Sequence, residues 1–166
     1  MRVFSTSEMI QPVMKSPVVL SMSGHDPTGG AGIQADIECM AAHGVHALTL
    51  VTSLTAQNTA DVIEIYPQNP QQFEAQASCL LADISVDVFK IGLLGSAEIA
   101  KKVASIIARF PDVPVVLDPV LAAGGGHDLV QGLLLEVLTQ KIVPRTTLIT
   151  PNSLEARRLC PHYRNA

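Results

Sequence analysis

SGHDPTGGAGIQAD, Ser23 to Asp36, joins an apolar run that begins at Pro17 (PVVLSMSG) to a periodic segment (IQADIECMAAHG) closed by Gly44. A short apolar run stopped by glycine suits a buried strand. Ile33, Ile37, Met40 and Ala41 recur at helical spacing, so a helix is expected to follow. Between them, Gly29, Gly30 and Gly32 let the backbone approach a ligand closely, and the helix start offers free amide donors. The turn lacks the Lys-Ser/Thr of a phosphate-binding P-loop. It contains a weak dinucleotide pattern, Gly30 to Ala35, but it is long and carries an additional HDPTG. The second strand candidate also ends at Thr52-Ser53, where an acidic residue about 20 positions on would be needed to hold a ribose. A tight turn with no ligand remains open from the local sequence.

Outward from this turn, strands and helices are expected to alternate. ALTLVTSLTA from Ala47 reads as a second strand, and Val62, Ile63 and Ile65 mark a short extended segment ending at Pro67. A helix over about 70–83 precedes the strand VDVFKIG from Val86. Another helix over about 96–110 places Ile99, Val103, Ile106 and Ile107 on one stripe. PVVLDP from Pro114 is the next strand, and a glycine-rich loop from Ala122 to Asp128 leads into a helix around 129–140. TLIT is the last strand candidate, and NSLEARRL, Asn152 to Leu159, starts a new helix that Pro161 would break. This order implies an α/β fold with a mostly parallel sheet and helices on both faces. Ligands in such sheets sit beyond the carboxyl ends of the strands. His25, Asp26, Gln57, Asn58, Gly92, Asp118, Asn152 and Glu155 fall there.

Composition agrees with that reading. In 166 residues, 48% hydrophobic and 16% charged, with no Trp and 4% aromatics, the core must be built from Val, Leu, Ile and Ala, the usual filling of a covered parallel sheet. The formal charge of -4 comes without a basic run, which argues against nucleic acid and anionic membrane as partners. No apolar run reaches the roughly 18 residues of a membrane span, and residues 1–16 make a poor signal peptide, so a cytoplasmic protein with a loosely ordered leader is expected. Cys39, Cys79 and Cys160 are far apart and lack a CxxC spacing. Buried, reduced thiols are expected rather than a disulfide framework or zinc site. The histidines have no metal-ligand spacing to one another.

Several side chains admit two readings. Asp36 either complements the dipole of its helix or accepts hydrogen bonds from a ligand amine above the glycine-rich turn. Gln57 offers donors and an acceptor to a heteroaromatic edge, whereas Asn58 better suits a turn amide bonded to its own backbone. Asp118, closing the strand VVLD, could hold Mg²⁺ or its waters near transferring phosphates. Asn152 and Glu155 form N-x-x-E at a helix start, either a capping box or an amide and carboxylate serving a hydrated Mg²⁺ that carries a nucleotide.

The ordered set SGHDPTGGAGIQAD, TSLTAQNT (52–59), KIGLLGS (90–96), VVLDPV (115–120) and TPNSLEA (150–156) resembles the hydroxymethylpyrimidine/phosphomethylpyrimidine kinase family of thiamine biosynthesis over nearly everything from Val18 to Leu159. The resemblance implies a ribokinase-like fold and an ATP- and Mg²⁺-dependent kinase. Its substrate would be 4-amino-5-hydroxymethyl-2-methylpyrimidine and then the monophosphate. It implies that Gln57, Asp36 and Gly24 contact the pyrimidine, with Leu93 where the family often has Met and Val120 on the opposite side. Asn152, Glu155 and Asp118 would serve Mg-ATP, with Asp118 and Glu155 toward the metal. The family's glycine-rich anion hole and catalytic residue have no counterpart in these motifs. A partial ribokinase-like domain over 17–166, with its C-terminal part missing, is therefore expected. A catalytically impaired fragment that only binds the pyrimidine or a partner subunit is the competing expectation. An open sheet lacking its last elements would expose apolar surface and could form a homo-oligomer.

Overall fold

A computed structural model of the chain describes residues 15–121 and 132–160. The expected leader over 1–14, the loop Ala122–Asp128, the start of the helix near 129 and the segment after Cys160 lie outside the described residues. The elements run β1 (Val18–His25), α1 (Gly32–Ala42), β2 (His46–Gln57), β3 (Val62–Pro67), α2 (Pro70–Asp83), β4 (Val88–Ile91), α3 (Ala97–Ala108), β5 (Val115–Leu117), α4 (Leu133–Val137), β6 (Leu148–Ile149) and α5 (Ser153–Leu159). The sheet order is β3-β2-β1-β4-β5-β6. All neighbours are parallel except β2 and β3, which form an antiparallel hairpin.

The period-2 alternation along the strands divides the sheet into two faces. Leu20, Met22, Phe89, Ile91, Val115 and Leu117 point to one face and are fully or nearly fully buried. There they join Phe73 and Ala77 of α2 and Ile99, Val103, Ile106 and Ile107 of α3 in one core. Local chemistry starts both helices on schedule. Asn69 Oδ1 accepts from the backbone N–H of Gln71 and Gln72 ahead of α2, with Pro70 in its first turn. Ser96 Oγ accepts from Ile99 N at α3. The opposite face carries Ser21, Ser23 and Lys90, with Asp118 just after β5, and α1 crosses it beside β1 and β2.

The strand order reverses at β1. The connection through α1 leads to β2 on one side, and the connection through α2 returns to β4 on the other. Neighbouring loops therefore diverge above the carboxyl ends of β1 and β4 and leave a crevice, the topological switch point of an open α/β sheet.

Some expectations are corrected. Of the stripe assigned to α1 only Ile33 is buried, and Ile37 is 41% exposed. The helix rests on a polar sheet face through Asp36 instead of on an apolar one. All three cysteines are exposed free thiols, because Cys39 and Cys79 lie on the outer sides of their helices and Cys160 follows α5. The helix expected near 129–140 is α-helical over Leu133–Val137 and continues as a π-helical turn to Ile142 and a 3₁₀ turn to Arg145. The second strand, expected over 47–56, runs from His46 to Gln57, and β3 folds back on its last residues as an antiparallel partner.

Candidate active site

The crevice is a cavity of about 200 Å³. It brings together Gly24 from β1, Gln57 from β2, Leu93 after β4, and Asp118 and Val120 after β5. Five of the residues expected from sequence to face a ligand thus converge from four strands. A groove of about 600 Å³ beside α5 is larger. Its walls are mainly Val143, Ile149, Pro151, Ala156 and Leu159, with Thr139, Ser153 and Arg157 among them, whereas the smaller crevice gathers the strand-end polar residues at the switch point.

The glycine-rich turn shapes one wall by necessity. Gly32 has φ +62°, and a Cβ there would lie 2.2 Å from the carbonyl oxygen of Gly24. Only glycine lets the start of α1 close against the end of β1. A Cβ on Gly24 would meet Leu93 Cδ2 at 2.9 Å and Ser53 Oγ at 3.1 Å. The bare Gly24 backbone and the Leu93 side chain therefore share one wall.

Asp26 closes the turn. It is buried, and its Oδ1 accepts from Thr28 N at 2.8 Å while its carbonyl accepts from Gly29 N at 3.2 Å. Burial works to raise this carboxyl. Hydrogen bonding, led by the Thr28 N–H, outweighs that effect and holds the carboxyl below the ordinary carboxylate value. Gln57 sits where the β2–β3 register shifts between Ala56 and Gln57, the kind of irregularity that re-aims a side chain at a strand end. Asn58 behaves as a turn amide: its Oδ1 accepts from Ala60 N and Asp61 N.

The floor is ionic. Asp36 does not line the cavity. Its Oδ2 accepts from Ser21 Oγ and lies 3.0 Å from Lys90 Nζ, and it is Lys90 that faces the cavity. Sequence reasoning missed Lys90 as a site residue. The available signal was a lysine between two fully buried strand residues, Phe89 and Ile91, which period-2 alternation sends to the polar face.

Asp118 is half-buried and its carboxyl is raised, first by burial and then by the negative charges of Glu155 and Asp36, with Lys90 pulling the other way. Glu155 is itself buried and occupied. Its Oε2 accepts from Asn152 N at 2.9 Å, and its Oε1 is 3.4 Å from Leu121 N. Asn152 Oδ1 accepts from Leu154 N and Glu155 N at 2.9 Å each. The N-x-x-E pair is thus a complete capping box, and neither residue lines the crevice. Among the described residues no cluster of three or more His, Cys, Asp or Glu is placed to hold a metal. Asp118 nevertheless fits an oxygen-ligated cation, because a positive ion beside it relieves the repulsion from Glu155 and Asp36. No described helix is long and apolar enough to cross a membrane.

Residues 26–165 match the family described as phosphomethylpyrimidine kinase. A hydroxymethylpyrimidine/phosphomethylpyrimidine kinase of Haemophilus influenzae is 42% identical over 141 residues, which are 85% of this chain and 52% of that protein. A crystal structure of phosphomethylpyrimidine kinase from Clostridium difficile superposes with a TM-score of 0.80 at 31% identity, covering 89% of this chain and 63% of that one. Pyridoxal kinase from Staphylococcus aureus in complex with AMP-PCP and pyridoxal gives 0.77 at 26% identity, covering 89% and 52%. The ribokinase-like fold expected from the motifs is therefore the fold observed. The chain spans about half the length of the H. influenzae protein.

Proposed function

The chain belongs to the phosphomethylpyrimidine kinase family, and from that premise we propose that it binds 4-amino-5-hydroxymethyl-2-methylpyrimidine in the crevice and serves its ATP-dependent phosphorylation, and then that of the monophosphate, in thiamine diphosphate biosynthesis. The observation that carries this reading is the convergence of Gly24, Gln57, Leu93, Val120 and Asp118 on one small cavity at the switch point. Leu93 and Val120 supply apolar walls for a flat ring, and Gln57 supplies the polar edge that orients it.

Phosphoryl transfer is mainly positioning and charge neutralisation. In this reading the ring is held so that its hydroxymethyl oxygen points toward Asp118. Lys90 keeps positive charge on the cavity floor. Mg²⁺ bound with ATP would neutralise the transferring phosphates, held by Asp118 directly or through water. Glu155 stands behind Asp118 as a second negative charge and, through its bonds to Asn152 and Leu121, positions the start of α5. Asn152 and Glu155 then act on the nucleotide side through that helix start. The place of action is the cytoplasm. The open edge of the sheet at β6, where Leu148 is 56% exposed, supports self-association.

Calorimetry with the hydroxymethylpyrimidine, run beside a coupled assay of ATP consumption, tests the reading. Saturable binding with pyrimidine-dependent ATP turnover is the expected result. Binding without turnover would leave a pocket without the transfer chemistry, and absence of binding would remove the pyrimidine reading itself.

A further inference from the structure

We propose that Thr52 is a positioning residue for the crevice: its hydroxyl holds the Leu93 carbonyl across the end of β1 and so fixes Leu93 as a wall for a flat ring. The ring comes from the pyrimidine reading of this cavity, on which that part rests. The hold on Leu93 stands on the ligand-free geometry.

By period-2 alternation Thr52 follows Leu48 and Leu50, both in the core, and it is itself fully buried. A hydroxyl in that place costs free energy unless it is bonded. Thr52 Oγ1 donates to the carbonyl oxygen of Leu93, 41 residues along the chain. β2 and β4 lie on opposite sides of β1, two strand spacings or roughly 9–10 Å apart. The segment after β4 must therefore cross the end of β1 to reach Thr52. It crosses at Gly24, where a Cβ would meet Leu93 Cδ2 at 2.9 Å and Leu93 Cβ at 3.4 Å. Gly95 ends the crossing. Its φ is +77°, and a Cβ on it would lie 2.8 Å from Ser53 Cβ, so the chain turns while pressed against β2.

The flanking residues have their own anchors. Gly92 N donates to the Met22 carbonyl at 3.0 Å, and Leu94 is buried in the core. Between them the Leu93 side chain lines the crevice, and the Thr52 hydroxyl fixes the rotation of its peptide. A wall held in place before the ligand arrives need not be ordered on binding. Ser53 supplies the contrast. Its Oγ is equally buried beside the same segment, yet it has no hydrogen-bond partner among the described residues.

The experiment uses the full chain and three variants. Thr52→Val keeps the branched shape and removes the hydroxyl, Thr52→Ser keeps the hydroxyl, and Ser53→Ala removes the unbonded neighbour. In the ligand-free parent, the Thr52 hydroxyl proton should exchange slowly and be visible by NMR. The Leu93 carbonyl ¹³C resonance should move upfield in T52V and stay in place in T52S and S53A. By calorimetry, T52V should bind 4-amino-5-hydroxymethyl-2-methylpyrimidine about tenfold more weakly than the parent, the scale of ordering one side chain and its peptide on binding. T52S should recover most of that affinity, and S53A should match the parent.

A rapidly exchanging Thr52 hydroxyl, or a Leu93 carbonyl indifferent to T52V, would overturn the proposal whatever binds. Equal losses of affinity in T52V and T52S would also overturn it and leave Thr52 a space filler. If T52V fails to fold, the parent hydroxyl proton and the T52S affinity still decide. A parent that binds no pyrimidine but shows the Leu93 shift in T52V would support the hold on Leu93 and defeat the pyrimidine reading.

Discussion

Lys90 Nζ lies 3.0 Å from Asp36 Oδ2, so a cation from the middle of β4 and an anion from α1 meet beneath the cavity, with side chains 19% and 15% exposed. The contact ties helix to sheet on the polar face, where apolar packing is thin. Lys90→Met removes the cation and leaves Asp36 with Ser21 as its hydrogen-bond partner. A loss of about 1–3 kcal/mol in urea unfolding is expected, the usual cost of stranding a part-buried polar group. A double-mutant cycle with Asp36→Asn should show coupling between the two sites, since they are in direct contact.

Asp118 is expected to trade stability for function. Its folded-state carboxyl is raised, first by burial and then by Glu155 and Asp36. The folded protein therefore holds the proton more tightly than the unfolded chain does. Stability from this group is present below the unfolded value and is lost as pH rises through the folded one. Asp118→Asn should raise Tm at neutral pH, with the gain fading as pH falls toward 3.8, the ordinary value of this group. The same variant should suppress Mg-dependent phosphoryl transfer.

Asp26 has the opposite sign. Donors hold its folded-state carboxyl below the ordinary value against the effect of burial. Its contribution is present above the unfolded value and lost as pH falls through the folded one. Asp26→Asn should therefore cost stability at neutral pH, and the deficit should shrink in acid melts below 3.8, the ordinary value of the group.

Two glycine substitutions separate shape from fold. Gly32→Ala places a Cβ 2.2 Å from the Gly24 carbonyl oxygen at φ +62°, and neither backbone segment can yield. A destabilisation of about 2 kcal/mol or more is expected in thermal or urea unfolding. Gly24→Ala meets the flexible end of Leu93 at 2.9 Å instead. It should leave the unfolding midpoint nearly unchanged, turn Leu93 into the cavity and weaken pyrimidine binding about tenfold by calorimetry.

The capping box at α5 permits a test of the nucleotide side. Asn152→Ala should cost about 1 kcal/mol through loss of the cap. Glu155→Gln keeps a residue type that completes such boxes but removes the charge behind Asp118. It should raise KM for Mg-ATP while leaving the pyrimidine Kd unchanged.

The motifs between Ser23 and Ala156 carried the family, the parallel sheet and most of the cavity lining in the sequence alone. Glycines, strand-end polar residues and helix caps are local signals, and local backbone chemistry determined where each element began. β2 was legible from Ala47 to Ala56, but not the antiparallel partner β3 that pairs with its end and shifts register at Gln57. The cysteines and α1 failed for a related reason. Apolar residues at helical spacing do not say which neighbour covers them, and on this face the sheet offers Ser21 and Lys90 instead of a core. From the opening turn the sequence singled out Asp36 as the ligand carboxylate and left Asp26 among the strand-end residues. Tertiary structure exchanged their places, because β4 brings Lys90 to Asp36 beneath the cavity while Asp26 lines its wall. Sequence determined which chemical groups would gather around the cavity. Contacts between strands distant in the chain decided which of them line it and which only hold the others in place.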